Sequence, residues 1–170
     1  LITSSAASDV YKRQMLIGHG WDLHQHSDSK TLILGGVNFE EDGFEGHSDG
    51  DILLHALCDA LLGATGKKDL GHYFPSDEST PKDIPSTKIL SEILLVIEYE
   101  KLNLINIDIT IITQKFNVQE KEKKIKENLS KQLGVPLEII NVKGKSADDY
   151  GIIGDQKASL AIVSLLLDHA

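Results

Sequence analysis

The chain has 170 residues, enough for one compact domain that buries most of the surface exposed by its unfolded form. Hydrophobic residues make up 41% of the chain and charged residues 25%, which is typical of a folded domain and unlike a disordered or fibrous protein. The 26 acidic and 17 basic residues give a formal net charge of -9, which disfavours nucleic acid and anionic membranes as partners.

Cysteine content and hydropathy bear on the compartment. Cys58 is the single cysteine of the sequence, so no intrachain disulfide can form, and a reducing cytoplasm is the simplest location. No segment approaches the roughly 20 apolar residues that a membrane-spanning helix needs. We therefore expect a cytoplasmic protein in which any phosphate-binding site is local.

The first 14 residues differ in character from the rest of the chain. They have neither the apolar core of a signal peptide nor a hydrophobic period, and a strand-like run begins directly after them at Met15. We expect residues 1–14 to be a non-native extension, such as a translated artefact or a tag, with a disordered native arm as the alternative. Residues 15–170 are expected to form one domain.

In the first half of the domain, strand periods precede a helix. Alternating apolar and polar residues predict strands over 15–24 and 31–37, which could form a hairpin through a polar turn at 27–29. A helical stripe of apolar residues predicts a helix over 51–63. The stretch 65–85 has no sustained period and is predicted to be a long surface loop, of the kind that is usually functional or mobile.

The second half of the domain contains both helical and strand periods. Ser86 is predicted to cap a helix that runs to about residue 102. Four further elements follow: a strand over 104–113, a charged amphipathic helix over 118–133 ending at Gly134, a strand over 138–144 and an apolar closing helix over 156–169. The order ββ-α-α-β-α-β-α predicts one α+β domain with helices packed on one side of a β-sheet.

Three side chains of the first half have the chemistry of a metal site. Asp22 and His24 are two residues apart in a predicted strand, so they point to the same face. His55 lies one turn into the predicted helix and can project toward them. Three ligands with an open fourth position are typical of a catalytic zinc site. A structural role for each residue remains the alternative, because an aspartate and a histidine at this spacing are common.

The segment 47–51, HSDGD, leads into the helix that carries His55. A helix N-terminus can hold phosphate oxygens through its free N–H groups. Asp49 or Asp51 could instead simply cap the helix. Asp59 lies four residues after His55 and could orient its imidazole, although a surface contact is an equal alternative.

Together these motifs resemble the 2-C-methyl-D-erythritol 2,4-cyclodiphosphate synthase family over residues 15–170. The resemblance rests on IGHGWDLH, LILGGV, HSDGDILLHALCDALLGA, DLGHYFP, IDITIIT with Gln114, and INVK. It implies a homotrimer with active sites at subunit interfaces. The implied activity is that of a metal-dependent phosphorus-oxygen lyase of non-mevalonate isoprenoid biosynthesis, which cyclises 4-diphosphocytidyl-2-C-methyl-D-erythritol 2-phosphate and releases CMP.

The resemblance also implies roles for individual residues. Zinc would be bound by Asp22, His24 and His55, and a second ion, magnesium or manganese, by Asp148. Catalytic roles fall to His47 and Ser146. Substrate contacts are implied for Asp22, His24, His47, Ser48, Asp69, Leu70, Gly71, Phe74, Asp77, Thr113, Gln114, Lys145, Ser146 and Asp148. Asp77 is included because Ser76 stands where the family usually has an aspartate.

The C-terminal third departs from the family pattern. Residues 115–117 replace a run that usually carries proline and lysine, and residues 145–148 replace Thr-Thr-x-Glu. Ile152 stands in place of a phenylalanine and Asp155 in place of an arginine, so one charge is reversed. These departures motivate one alternative to the synthase, a zinc-binding homologue with impaired turnover that serves as a regulatory or interaction protein. The open coordination position of the predicted zinc site suggests a second, a zinc-dependent phosphohydrolase.

Overall fold

The computed structural model describes residues 14–170. The expected extension at residues 1–14 therefore lies, apart from Gln14, outside the described residues. The strands are β1 (Leu16–Leu34), β2 (Val37–Phe44), β3 (Leu102–Ile112), β4 (Ile140–Lys145) and β5 (Ala158–His169). The helices are α1 (Ile52–Ala64), α2 (Leu70–Tyr73), α3 (Ser86–Val96), α4 (Glu122–Leu133) and α5 (Gly151–Gly154). Across residues 14–170, no helix is long and apolar enough to span a membrane.

All strands belong to one five-stranded sheet with the order β2-β1-β5-β3-β4. Only the pairing of β3 with β4 is parallel, and the other pairs of the sheet are antiparallel. On the inner face, α1 packs on β1 and β5, α3 packs on α1, and α4 packs beside β4. The predicted single α+β domain is thus confirmed.

The first hairpin turns later in the chain than predicted. β1 runs through the predicted turn at 27–29 and ends at Leu34, which pairs with Val37. The turn is formed by Gly35 and Gly36, whose φ angles of 60° and 73° suit a two-residue hairpin turn and favour glycine. The polar residues from Ser27 to Thr31 instead produce a register irregularity within β1. The turn predicted at 27–29 was therefore wrong.

The predicted closing helix is also wrong, because its residues form β5. This strand lies between β1 and β3. Ala161, Val163 and Leu165 point into the core, while Leu160 and Ile162 on the opposite face are partly buried. A central strand with apolar residues on both faces does not alternate, and its sequence therefore resembles a buried helix.

Most other elements agree with the sequence. α1 and β3 lie where predicted, and α4 ends at Gly134 in the left-handed conformation. The helix predicted to reach residue 102 ends at Val96, and Ser86 does not cap it: the residue before the helix is Pro85, with no side-chain cap. The long loop over 65–85 contains the short helix α2.

Two glycines of β1 determine how closely α1 approaches the sheet. A Cβ atom at Gly18 would lie 2.1 Å from the carbonyl oxygen of Ala60, and one at Gly20 would lie 2.2 Å from that of Ala56. Only glycine allows the helix backbone to lie this close to the strand. The close approach places His55 directly above the part of β1 that carries Asp22.

We predict that Gly18→Ala lowers the free energy of unfolding by about 3 kcal/mol, because α1 must move away from β1. Gly63→Ala is the matched control, since a Cβ atom there meets only the His19 carbonyl oxygen at 3.9 Å. That change should be neutral or stabilising by up to about 1 kcal/mol, as alanine favours helix. Urea denaturation measures both; equal effects would contradict the close-approach argument.

Candidate active site

The structure brings the three predicted metal ligands together. Asp22 Oδ2 lies 3.0 Å from His24 Nε2 and 3.0 Å from His55 Nδ1. The three ligand atoms all lie within 4.8 Å of one another. β1 supplies the first two residues from one face, and α1 supplies the third. One carboxylate and two imidazoles form a donor set that suits a divalent ion such as zinc.

The electrostatics of this cluster favour a cation. Burial raises the pKa of Asp22, but hydrogen bonds and positive charge from His24 and His55 outweigh it and hold that pKa at about 2. Burial lowers the pKa of His55, but its hydrogen bond and attraction to Asp22 outweigh it, so the pKa is raised. The ionised form of the Asp22 carboxylate is therefore favoured between two imidazoles, an arrangement in which a metal ion can replace protons.

The outer nitrogen of His55 also has partners. His55 Nε2 lies 3.0 Å from Ser48 Oγ and 3.0 Å from Ser86 Oγ. Asp59, which could have oriented His55, instead accepts a hydrogen bond from the backbone N–H of Leu70 at 2.7 Å. Sequence reasoning assigned Ser86 to a helix cap and missed this contact. No local signal links Ser86 to His55, which is 31 residues away.

The buried carboxylate of Asp51 connects α1 to the first hairpin. It accepts N–H bonds from Leu54 at 3.1 Å, Gly35 at 2.9 Å and Gly36 at 2.6 Å. Asp51 therefore caps α1, as the sequence left open, and it also holds the hairpin turn. Asp49 accepts the N–H of Asp51 at 3.3 Å and, at the start of α3, bonds from the N–H and hydroxyl of Ser86.

Lys30 fixes the loop that precedes α1. Its ammonium group donates to the carbonyl oxygens of Gly46 at 2.9 Å and Ser48 at 2.6 Å, and it pairs with Asp83 at 2.8 Å. His47 Nε2 lies 2.6 Å from the carbonyl oxygen of Thr80. The loop is therefore attached both to β1 and to the segment before α3. Lys30 was missed because it lies in a polar stretch that predicted only a turn.

A cavity of about 410 Å³ opens beside the metal triad. The implied substrate residues that line it are Asp22, His24, His47, Ser48, Leu70, Gly71 and Phe74. Asp69 lies just outside this lining and caps α2 by accepting the N–H of His72. Ser76 lines the cavity, whereas Asp77 is exposed and bonds to Ser79. Asp77 therefore does not line the cavity where it was expected to take the place of the family's aspartate.

The remaining implied residues form a second cluster. Ser146 Oγ donates to Gln114 Oε1 at 2.9 Å, and Gln114 Nε2 donates to Asp149 at 3.0 Å. Thr113, Lys145 and Ser146 line a smaller cavity of about 190 Å³ that shares no lining residue with the large one. The fold of a single chain thus distributes the implied site over two separate places.

Comparison with known families and structures identifies this arrangement. The model of the YgbB family matches residues 15–168. The chain belongs to the YgbB family. A 2-C-methyl-D-erythritol 2,4-cyclodiphosphate synthase of Aquifex aeolicus is 43% identical over 138 residues, which cover 81% of this chain and 88% of the relative. The synthase of Syntrophotalea carbinolica is 39% identical over 157 residues, covering 92% and 96%.

Solved structures of similar sequence share the fold. The bifunctional IspDF of Campylobacter jejuni superimposes with a TM-score of 0.87 at 30% identity, covering 92% of this chain and 43% of that longer chain. The CDP complex of IspF from Plasmodium falciparum gives 0.79 at 34% identity, covering 91% and 96%. The family membership inferred from the motifs is confirmed.

We predict that Lys30→Met lowers the free energy of unfolding by about 2 kcal/mol, because two carbonyl groups of the loop that precedes α1 lose a charged donor while the apolar stem is kept. Amide hydrogen exchange at residues 46–50 should become faster. Lys101→Met is the matched control, since Lys101 only pairs with Glu98 on the surface. An unchanged exchange rate in Lys30→Met would show that Lys30 does not hold the loop.

Proposed function

We propose that this chain is a 2-C-methyl-D-erythritol 2,4-cyclodiphosphate synthase of the cytoplasm. The observation that carries the proposal is the convergence of Asp22, His24 and His55 beside a cavity that His47 and Ser48 line. Relatives at 34–43% identity that bear this name support it. The substrate is 4-diphosphocytidyl-2-C-methyl-D-erythritol 2-phosphate, whose 2-phosphate attacks the β-phosphate and expels CMP.

The proposed metals are zinc at Asp22, His24 and His55, and magnesium or manganese at Asp148. When bound, these ions supply the positive charge that allows one phosphate group to approach another. The residues around them position the reacting groups. His47 is oriented at the cavity wall by its bond to the Thr80 carbonyl, and Ser48 presents its hydroxyl from a loop that Lys30 fixes.

The second cluster is proposed to receive the nucleotide and the second ion. Ser146 and Gln114 form a hydrogen-bonded pair there, and the left-handed backbone of Asp148 bonds to Ser146 through its N–H. The reversed charge at Asp155 is balanced by Lys157, whose ammonium group lies 3.0 Å away. Lys145 and Ser146, which stand where the family has two threonines, are proposed to contact the nucleotide.

We further propose that a homotrimer joins the two clusters, with each site built from two subunits. The outer face of the sheet is the surface that supports this assembly. Ile17, Trp21 and Leu23 are exposed on β1, and Trp21 is paired in register with Ile162 of β5. An exposed apolar sheet face of this kind marks an interaction site. Association through this face would place the metal triad of one subunit beside the second cluster of its neighbour.

The reaction can be tested by incubating purified protein with the proposed substrate, zinc and magnesium, and measuring CMP and the cyclic diphosphate. Formation of both supports the synthase. CMP accompanied by a linear product that contains oxygen from labelled water would indicate a phosphohydrolase instead. Bound zinc without any CMP would contradict the proposed activity and favour a homologue with impaired turnover.

We predict that His55→Ala removes bound zinc and reduces CMP release at least 1,000-fold, since one of three ligands and the positioning of substrate are lost. His72→Ala should keep its zinc, because His72 lies outside the cavity lining. Metal analysis of both proteins after dialysis is the measurement. Stoichiometric zinc in His55→Ala would contradict the proposed ligand set.

We predict that Trp21→Glu shifts the protein from trimer to monomer, because a charge would be buried in the proposed interface. Leu95→Glu is the matched control: Leu95 is another exposed apolar residue, but it lies on α3 away from the outer sheet face. Sedimentation equilibrium distinguishes the two states. A trimeric Trp21→Glu protein, or a monomeric wild type, would contradict this assembly.

A further inference from the structure

The imidazole of His55 has two functionally different sides. Its Nδ1 atom faces Asp22 and the proposed metal position, and its Nε2 atom faces the hydroxyl groups of Ser48 and Ser86. A neutral imidazole carries one proton, so only one of its nitrogens can offer a lone pair to a metal. Metal binding at Nδ1 therefore requires the proton to be at Nε2.

In the metal-free protein Asp22 Oδ2 accepts from His55 Nδ1 at 3.0 Å, and a metal at Nδ1 would displace that proton. Hydrogen-bond polarity around Ser86 then determines whether the remaining proton is held at Nε2. The Ser86 hydroxyl lies 2.5 Å from Asp49 Oδ1, and the Ser86 backbone N–H lies 3.0 Å from Asp49 Oδ2. An ionised carboxylate can only accept, so the single hydroxyl proton of Ser86 is donated to Asp49. Ser86 Oγ then has only lone pairs to offer His55, and the stable contact is Nε2–H donating to Ser86 Oγ.

We propose that Ser86 and Asp49 are positioning residues that hold His55 in the tautomer whose Nδ1 lone pair is directed at the metal. This inference rests on the proposed metal site. Imidazole ligands of metals commonly donate their second N–H to an oriented acceptor, which fixes the ring and raises the basicity of the ligating nitrogen. Here the acceptor is a hydroxyl, and a carboxylate sets its direction.

The surrounding structure makes this chain of bonds rigid. Ser86 is fully buried at the first turn of α3, and Asp49 is held by a bond from its own N–H to the carbonyl oxygen of Ile84 at 3.1 Å. Ser48 is less well suited to the role. Its hydroxyl already accepts the N–H of Gly50, and within residues 14–170 no carboxylate hydrogen-bonds to it, so its proton can point either way.

Asp49→Asn tests the polarity directly. We expect the amide oxygen of Asn to face the Ser86 N–H, which lies 3.0 Å from Asp49 Oδ2, because the competing N–H of Asp51 lies farther away, 3.3 Å from Asp49 Oδ1. The amide NH₂ then donates to Ser86 Oγ and turns the hydroxyl proton toward His55 Nε2. The Nδ1–H tautomer, which cannot bind metal, becomes favoured. We expect zinc affinity to fall about 100-fold in Asp49→Asn and about 10-fold in Ser86→Ala, where Ser48 can still accept.

The experiment measures zinc dissociation constants by chelator competition on the full chain. Ser91→Ala is the matched control, because Ser91 is another serine of α3 whose hydroxyl bonds only to the Lys88 carbonyl. Two further readouts accompany affinity: the thermal midpoint of the metal-free proteins, and the Nε2–H proton resonance of His55 in the zinc-bound proteins. That resonance should be protected from exchange in wild type and Ser91→Ala, and should exchange faster in Ser86→Ala, where the less well directed hydroxyl of Ser48 is the remaining acceptor.

The expected result is a lower zinc affinity in Asp49→Asn and Ser86→Ala, with metal-free thermal midpoints that stay close to wild type. Equal zinc affinity in wild type and both variants would overturn the inference while leaving the metal site intact. A loss of affinity matched by a large fall of the metal-free midpoint would also overturn it, since the role would then be structural. A wild-type protein that binds no zinc would overturn the proposed metal site itself.

Discussion

The close approach of α1 to β1 is the constraint on which the metal cluster depends. Gly18 and Gly20 leave no side chain between strand and helix, so carbonyl groups of α1 lie almost against the strand backbone. At this distance a histidine on the helix reaches a carboxylate on the strand with no intervening residue. A wider separation, as a side chain at either position would impose, would move Nδ1 of His55 away from Asp22. Packing of two backbones thus determines whether three dispersed residues become one ligand set.

Hydrogen bonds, rather than apolar contacts, hold the loop that completes the site. Lys30 binds two of its carbonyl groups, Asp51 ties its end to the hairpin turn, and Asp49 ties it to the start of α3. Each of these groups is directional, so the loop has one arrangement in which all are satisfied. Asp49 also bonds to Ser86, whose hydroxyl contacts His55, so the loop helps to orient the imidazole ring. Rigidity of this kind suits a reaction in which aligning two phosphate groups is the main requirement.

Two features of the fold lie apart from the cavity beside the metal triad. Ser146 and Gln114 form a polar cluster with its own small cavity, separate from the one beside the metal triad. The outer face of the sheet exposes Trp21 and other apolar side chains of β1. Both observations have one explanation in the proposed trimer, which would bury the sheet face and bring a second cluster to each metal cavity. Assembly and catalysis would then be inseparable for this chain.

Features with a local signal could be predicted from the sequence: α1 from its apolar stripe, the end of α4 from Gly134, and the ligand types from Asp22, His24 and His55. It misassigned β5, because a strand buried between two others has apolar residues on both faces and loses its alternation. The contact of Ser86 with His55 and the bonds from Lys30 to the loop became visible when the chain was folded. These contacts join residues far apart in the chain. The hydrophobic period of a segment does not predict which distant group its polar side chains will contact.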